Sequence, residues 1–270
     1  MGIITEVFCL SRDSQHGANF VGRTRSCRWE AGQGRLQAPF LRVLFCCMER
    51  ERAIEAKIIT DLLKLLSGTG RFKKVLRGEA IKGKAIGEIM GWNGAGPPWA
   101  LTVPDLILAG DNFSQRPDDA FLLAVEIKYF PRGASSDKKH WRQSFREIGQ
   151  PLRDLLYGFD AAVLWHLFSE SNADDDIGKY VAMCGEVIDK LKLPVVYFKT
   201  KLTTHDRFAF FYPWRLENTS PLPDAAYVAG CLQQINNERD GSYRAKMNPL
   251  LMDEKVLGMR KAVKSVLRIP

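Results

Sequence analysis

The sequence predicts an α/β domain with a mixed central β-sheet flanked by helices. Three observations predict it. Short apolar runs of strand length alternate along the chain with amphipathic segments of helical period. Two of these runs, "LTVPDLILA" (101–109) and "FLLAVEIKYF" (121–130), are joined by the turn-rich "GDNFSQRPDDA", as in a hairpin with a long loop. The composition is that of an ordinary globular chain: 46% hydrophobic and 26% charged over 270 residues, enough to bury a core without disulfide or metal staples.

The elements run in order along the chain. Residues 49–66 read as an amphipathic helix, with Ile54, Ile58, Leu62 and Leu65 on one stripe and charges between them, ended by Gly68 and Gly70. "RFKKVLRG" (71–78) reads as a first strand. Residues 79–100 are rich in Gly and Pro and read as mostly irregular, with "WNGAGPPW" as a breaker. After the two hairpin strands, 137–158 is helical, with Trp141, Phe145, Ile148, Leu152 and Leu155 in one stripe and a kink or fresh start expected at Pro151. "AAVLWHLF" (161–168) is a buried strand. Residues 174–192 form a helix with acids at its start and lysines at its end, the order the helix dipole favours. "PVVYFKT" (194–200) and "RFAFFYPW" (207–214) are two more strands, and 224–237 and 253–268 are C-terminal helices.

Residues 1–47 differ from the rest of the chain. They carry six Arg, no Lys and four of the six Cys, and they show no sustained periodicity. Two readings stand for this irregular extension: a native start at Met48, or an Arg-rich arm that binds nucleic acid or directs targeting. "PFLRVLFCC" is too short and too far inside to be a signal peptide. The expected organisation is therefore an extension over 1–47, an α/β domain over 48–215 and a helical extension over 216–270.

The 39 Lys and Arg against 31 Asp and Glu give a net charge of +8, which permits a polyanionic partner. No apolar run reaches 18 residues, so no membrane partner is expected. No Cys-x-x-Cys pair occurs, and the adjacent Cys46 and Cys47 are ill placed for a disulfide, so a reduced, cytoplasmic chain is the simplest reading. There is neither a Gly-x-Gly-x-x-Gly nor a Walker loop for nucleotide phosphates.

One constellation carries chemistry. Asp105 follows Pro104 on one strand, and Glu126 and Lys128, two apart, project from one face of the next. A hairpin pairing sets Asp105 across from the Glu126 region, so two carboxylates and an ammonium meet at the edge of an apolar sheet. Two carboxylates suffice to anchor Mg²⁺, which prefers hard oxygen ligands. The carbonyl of Ile127 is a further oxygen, and Lys128 is placed to orient water or stabilise developing charge. Glu-x-Lys alone says little: it recurs at Glu55-Ala56-Lys57, and Pro-Asp recurs at Pro117-Asp118 and Pro223-Asp224. Only the 104–128 pair sits on adjacent apolar strands between two helices. The plain alternative is a surface ion pair on an edge strand.

These residues resemble the PD-(D/E)xK nuclease superfamily, over roughly residues 49–168. The resemblance implies a restriction-endonuclease-like αβββαβ core and a metal-dependent endonuclease acting on DNA. It implies Asp105 and Glu126 as metal ligands with the Ile127 carbonyl, Lys128 as the catalytic lysine, and Mg²⁺, which Mn²⁺ can replace, as cofactor. A first-helix Glu, Glu55 or Glu51 one turn earlier, and Gln150 on the following helix complete the implied set. The spacing from Gln150 to Tyr157 departs from the QxxxY form of RecB-like members. By analogy such a nuclease acts as a homodimer. The alternative is a catalytically silent nuclease fold kept for DNA binding or assembly. Lys138, Lys139, Arg142, Arg146 and Arg153 offer a basic surface for phosphates beside the site; the competing reading is a solvated face paired with Glu147 and Asp154. His166, in an apolar strand, reads as a packed core residue.

Overall fold

The computed structural model describes residues 38–92, 103–111, 119–130, 138–203, 207–212, 215–217, 222–236 and 241–270, with side chains of 38–52, 138–145, 212, 215–217 and 241–242 outside that description. The chain divides into two units, Met1–Arg50 and Glu51–Pro270. The elements are α1 (Ala38–Gly68), β1 (Lys74–Arg77), α2 (Gly83–Met90), β2 (Leu106–Gly110), β3 (Phe121–Phe130), α3 (Lys138–Asp154), β4 (Ala161–Ser169), α4 (Asp174–Lys190), β5 (Val196–Leu202), β6 (Phe208–Tyr212), β7 (Arg215–Glu217), α5 (Ala225–Gln234), α6 (Gly241–Arg244) and α7 (Glu254–Leu267).

The seven strands form one sheet in chain order. β1, β2 and β3 make an antiparallel meander, β3, β4 and β5 run parallel, and β6 and β7 return antiparallel. The mixed sheet flanked by helices is thus the architecture the alternating pattern predicts. Parallel neighbours need crossovers, and α3 and α4 supply them. Both helices meet on one face, where Ile148 of α3 and Ile188 of α4 pack with Leu164 and Val195. That is what two crossovers of one hand, advancing in one direction, require.

β3 shows how the sheet is buried on both faces. Leu123, Val125 and Ile127 pack under Ile59, Leu62 and Leu66 of α1 and under Val228, Ala229 and Leu232 of α5. Leu122 and Ala124 pack against Ile86 of α2 and Met259, Ala262 and Val263 of α7. Burying such side chains contributes roughly 1.5–3 kcal/mol each, which is why the inner strands read as unbroken apolar runs. The C-terminal helices are built into this unit: α5 covers one face and α7 the other.

The structure corrects several expectations. On α1 the buried stripe is Ile59, Leu62 and Leu66, rotated from the expected Ile54, Ile58, Leu62 and Leu65. The helix carries apolar residues on two adjoining stripes, and the sheet takes the one nearer the strands. The helix also begins at Ala38, ten residues before Met48. The stretch expected to be irregular holds α2, eight residues anchored by buried Ile86 and closed by Gly91 in the left-handed region at φ 68°. β2 begins at Leu106, well after residue 101, because it pairs on both sides and an inner strand cannot accommodate Pro104. β7 went unpredicted. Among the described residues no helix is long and apolar enough to cross a membrane. Cys184 and Cys231 are free thiols.

One close approach sets the start of β2. The N–H of Gly78 donates to the carbonyl of Asp105 at 3.3 Å. A Cβ on Gly78 would lie 1.7 Å from the carbonyl oxygen of Pro104. No rotamer relieves that contact, since both partners are backbone. Gly78→Ala is therefore expected to push Pro104 and Asp105 away from β1, costing about 1–3 kcal/mol as overpacking does. Urea unfolding checks it; a wild-type midpoint would show that β1 and β2 do not approach this closely.

Candidate active site

The sheet register builds the site. The last paired residues of β2 and β3 are Leu106 and Val125. One step further, where β2 has not yet begun, Asp105 faces Glu126. The Asp105 side chain takes over the ladder's role: its Oδ2 accepts the N–H of Ile127 at 2.7 Å. Backbone that leaves a sheet beside Pro104 exposes a neighbour's donor, and a short carboxylate at that position satisfies it. The same bond aims the Asp105 carboxyl at the face carrying Glu126.

Glu126 is 2% exposed, on the face of β3 that α3 covers. Lys128 lies two residues on, its Nζ 4.0 Å from Glu126 Oε2 and 3.9 Å from Glu55 Oε1 of α1. The structure thus brings together Glu55, Asp105, Glu126 and Lys128 from α1, the start of β2, and β3. Arg153 of α3 enters from the other side, its Nη2 3.7 Å from Glu126 Oε1. Gln150 is half-buried and Arg146 exposed on the same helix. Arg153 therefore belongs to the cluster, while Arg146 faces solvent. The side chains of Glu51, Lys138, Lys139 and Arg142 lie outside the described residues.

Sequence reasoning missed Asp154. The competing reading of α3 places it with Glu147 on a solvated face, but both are buried, Asp154 completely. Asp154 lies close enough to Glu126 to act on its protonation, so the carboxyls of Asp105, Glu126 and Asp154 form one interacting cluster. Both Asp154 oxygens and Glu126 Oε1 are buried without a hydrogen-bond donor. Oxygens that face one another this way need a proton or a cation between them. Position i+4 from Gln150 was the available signal, since it falls on the face already assigned to the site.

The electrostatics agree with that crowding. Burial, then the Asp105 carboxylate, pushes Glu126 up to about 7, against Lys128, Asp154 and Arg153. Burial raises Asp105, against Lys128 and the Ile127 N–H. Burial and the Glu126 charge hold Asp154 well above the ordinary carboxylate range. Glu55 is raised by burial, with Asp105 and Glu147 adding to it and Lys128 opposing. These shifts fix the sign of the effect on stability. A carboxyl whose folded value exceeds its unfolded one keeps its full contribution below about 4.5 and loses it as pH rises through about 7. In chelator, the wild-type melting temperature is expected to fall between pH 5 and pH 8, and Glu126→Gln to flatten that fall. Parallel slopes in a thermal titration would count against the crowding.

The donor set suits a hard divalent cation: it is all oxygen, and Glu126 Oε1 within it and both oxygens of the adjoining Asp154 have no donor. Among the described residues, no three His, Cys, Asp or Glu side chains converge at metal-ligand spacing. A groove of about 580 Å³ lies elsewhere, lined by residues of α2, α7 and their neighbourhood such as Met90, Trp92 and Met259. None of its lining belongs to the carboxylate cluster. Comparison with family models, with curated proteins and with solved structures returns no match for this chain.

Proposed function

We propose that this chain is a Mg²⁺-dependent nuclease of PD-(D/E)xK type that hydrolyses phosphodiester bonds in DNA. The observation that carries the reading is the placement of Asp105 opposite Glu126 with Lys128 two residues beyond, at the edge of a buried sheet. A surface ion pair does not need a buried strand, and carboxyls whose protonation is raised by burial and by one another are the kind of cluster that functional sites collect. Asp105, Glu126, the Ile127 carbonyl and Glu55 are the groups that would hold the cation. A Mg²⁺ held by these groups would lower the pKa of a bound water and neutralise phosphate charge. Lys128 orients the attacking water and stabilises the charge that builds on the phosphate. Arg146 and the basic start of α3 hold the backbone of the nucleic acid without reading its sequence.

A cleavage assay tests the reading on single-stranded, duplex and branched DNA and on RNA, with Mg²⁺, Mn²⁺ or chelator. DNA products that require the cation are expected. Absence of cleavage on every substrate with either metal would sink it. One observation favours a second reading, a silent nuclease fold kept for DNA binding: Arg153 and Lys128 already compensate Glu126. Duplex binding that is indifferent to metal, with no cleavage, is the outcome that reading requires.

A further inference from the structure

The site rests on α3, and α3 has a weak point. Pro151 lies inside the helix and has no N–H to give the carbonyl of Glu147, one turn earlier. Its ring also crowds that carbonyl. A helix interrupted this way can bend, and the two halves serve different ends here. The first half carries Arg146 and the basic start of α3. The second carries Arg153 and Asp154, which meet Glu126.

The Glu147 side chain is clamped at the same place. It is 4% exposed. Its Oε2 accepts the hydroxyl of Tyr180 at 3.0 Å and lies 3.2 Å from His166 Nε2, an approach that is not aligned as a hydrogen bond. His166 is fully buried on β4, and its Nδ1 lies 2.9 Å from the Tyr197 hydroxyl of β5. Burial pulls the imidazole toward neutrality, but the Cys184 thiol and the Glu147 carboxylate outweigh it and raise its pKa. His166 is the register partner of Lys128 on the neighbouring strand, so the clamp stands directly behind the catalytic lysine. Four elements, α3, β4, α4 and β5, are pinned through one carboxylate.

Apolar packing alone would not hold this angle. Ile148 and Leu152 on α3 make non-directional contacts that tolerate sliding. A buried polar contact with a directional hydrogen bond fixes one geometry where apolar packing does not. We propose that Glu147, held by the Tyr180 hydroxyl beside His166, is a positioning residue that fixes the course of α3 where Pro151 removes a backbone bond. It thereby fixes Arg153 and Asp154 against Glu126. The inference rests on the nuclease reading for its purpose, but the clamp can be tested without it.

Glu147→Met keeps the volume and removes the clamp. Glu147→Gln keeps an oxygen where Oε2 meets both Tyr180 and His166, and removes only the charge. Tyr180→Phe removes one contact and serves if the Met variant does not fold. Two measurements apply. In metal-free protein, amide exchange in residues 147–154 is expected to rise about tenfold or more in Glu147→Met while α4 is unchanged, with Glu147→Gln near wild type. Mn²⁺ affinity by calorimetry is expected to weaken about 10–100-fold in Glu147→Met and to recover in Glu147→Gln. Wild-type exchange in Glu147→Met, or in Tyr180→Phe if Met does not fold, would overturn the proposal. So would equal Mn²⁺ affinity in wild type and variant. Failure of the wild type itself to bind Mn²⁺ would remove the nuclease reading and leave the clamp to be decided by exchange.

Discussion

Lys128→Ala and Asp105→Asn should each lower metal-dependent DNA cleavage by at least about 10²–10³-fold, the usual effect of removing one charge-stabilising group from a reacting centre. The two substitutions are chosen to spare the fold. Asp105→Asn keeps a carbonyl oxygen that can accept the Ile127 N–H, now at 2.7 Å, so the entry to β2 stays in place while the charge is lost. Asp105→Ala would orphan that donor and add about 1–3 kcal/mol of instability, confusing two effects. Lys128 is half-buried between Glu55 and Glu126, which are already raised toward protonation, so its loss is met by proton uptake and the strand holds. The measurement is cleavage rate beside the melting temperature of each variant. Full cleavage by both variants in metal-containing buffer would mean that the carboxylates and the lysine are a structural cluster.

Much of this was legible because two signals coincide on β3. The run from Leu122 to Ile127 is apolar on both faces, and a Glu and a Lys two apart within such a strand ask for a reason. The register then had one available partner, and Asp105 does face Glu126. Other parts were hidden for definite reasons. Periodicity locates a stripe only to within one residue when Ile58 and Ile59 are both apolar, so α1 was placed a step off. Gly83, Gly87 and Gly91 masked α2, whose eight residues are held by the burial of Ile86 more than by propensity. Glu147 and Asp154 looked like partners for nearby arginines on a wet face. Their burial depends on which side of α3 meets β4, and charged residues give no inward signal of their own. His166 was read as a packed core residue, and it is buried, but its partners Glu147, Tyr180 and Tyr197 lie 19, 14 and 31 residues away.

The largest loss of stability is expected at a position with no sequence signal at all. Arg260 of α7 is 3% exposed and reaches two separate segments. Its guanidinium donates to Asp119 and to the carbonyl of Ala120 just before β3, and to the carbonyl of Gly158 and Asp160 just before β4. Asp160 in turn accepts the N–H of Leu122 at 2.6 Å, so one arginine ties the starts of two parallel strands to the helix above them. Gly158 permits the approach: it sits at φ 78°, and a Cβ there would come within 2.5 Å of Arg260. Lysine cannot replace this planar set of donors. Arg260→Met fills similar space and leaves Asp160 buried without its cation, which should cost about 3–5 kcal/mol in urea unfolding at pH 8. Burial already raises Asp160 to about 6 against the pull of Arg260, and removing Arg260 raises it further. The deficit should therefore shrink as pH falls toward 5, where Asp160 takes up a proton in the variant and no longer stands as a bare charge. Lys261→Met, on the exposed side of the same turn, should stay within about 0.5 kcal/mol of wild type. Equal losses at the two positions would show that α7 is held by its apolar face, through Met259, Val263 and Leu267, and that the arginine only decorates the junction.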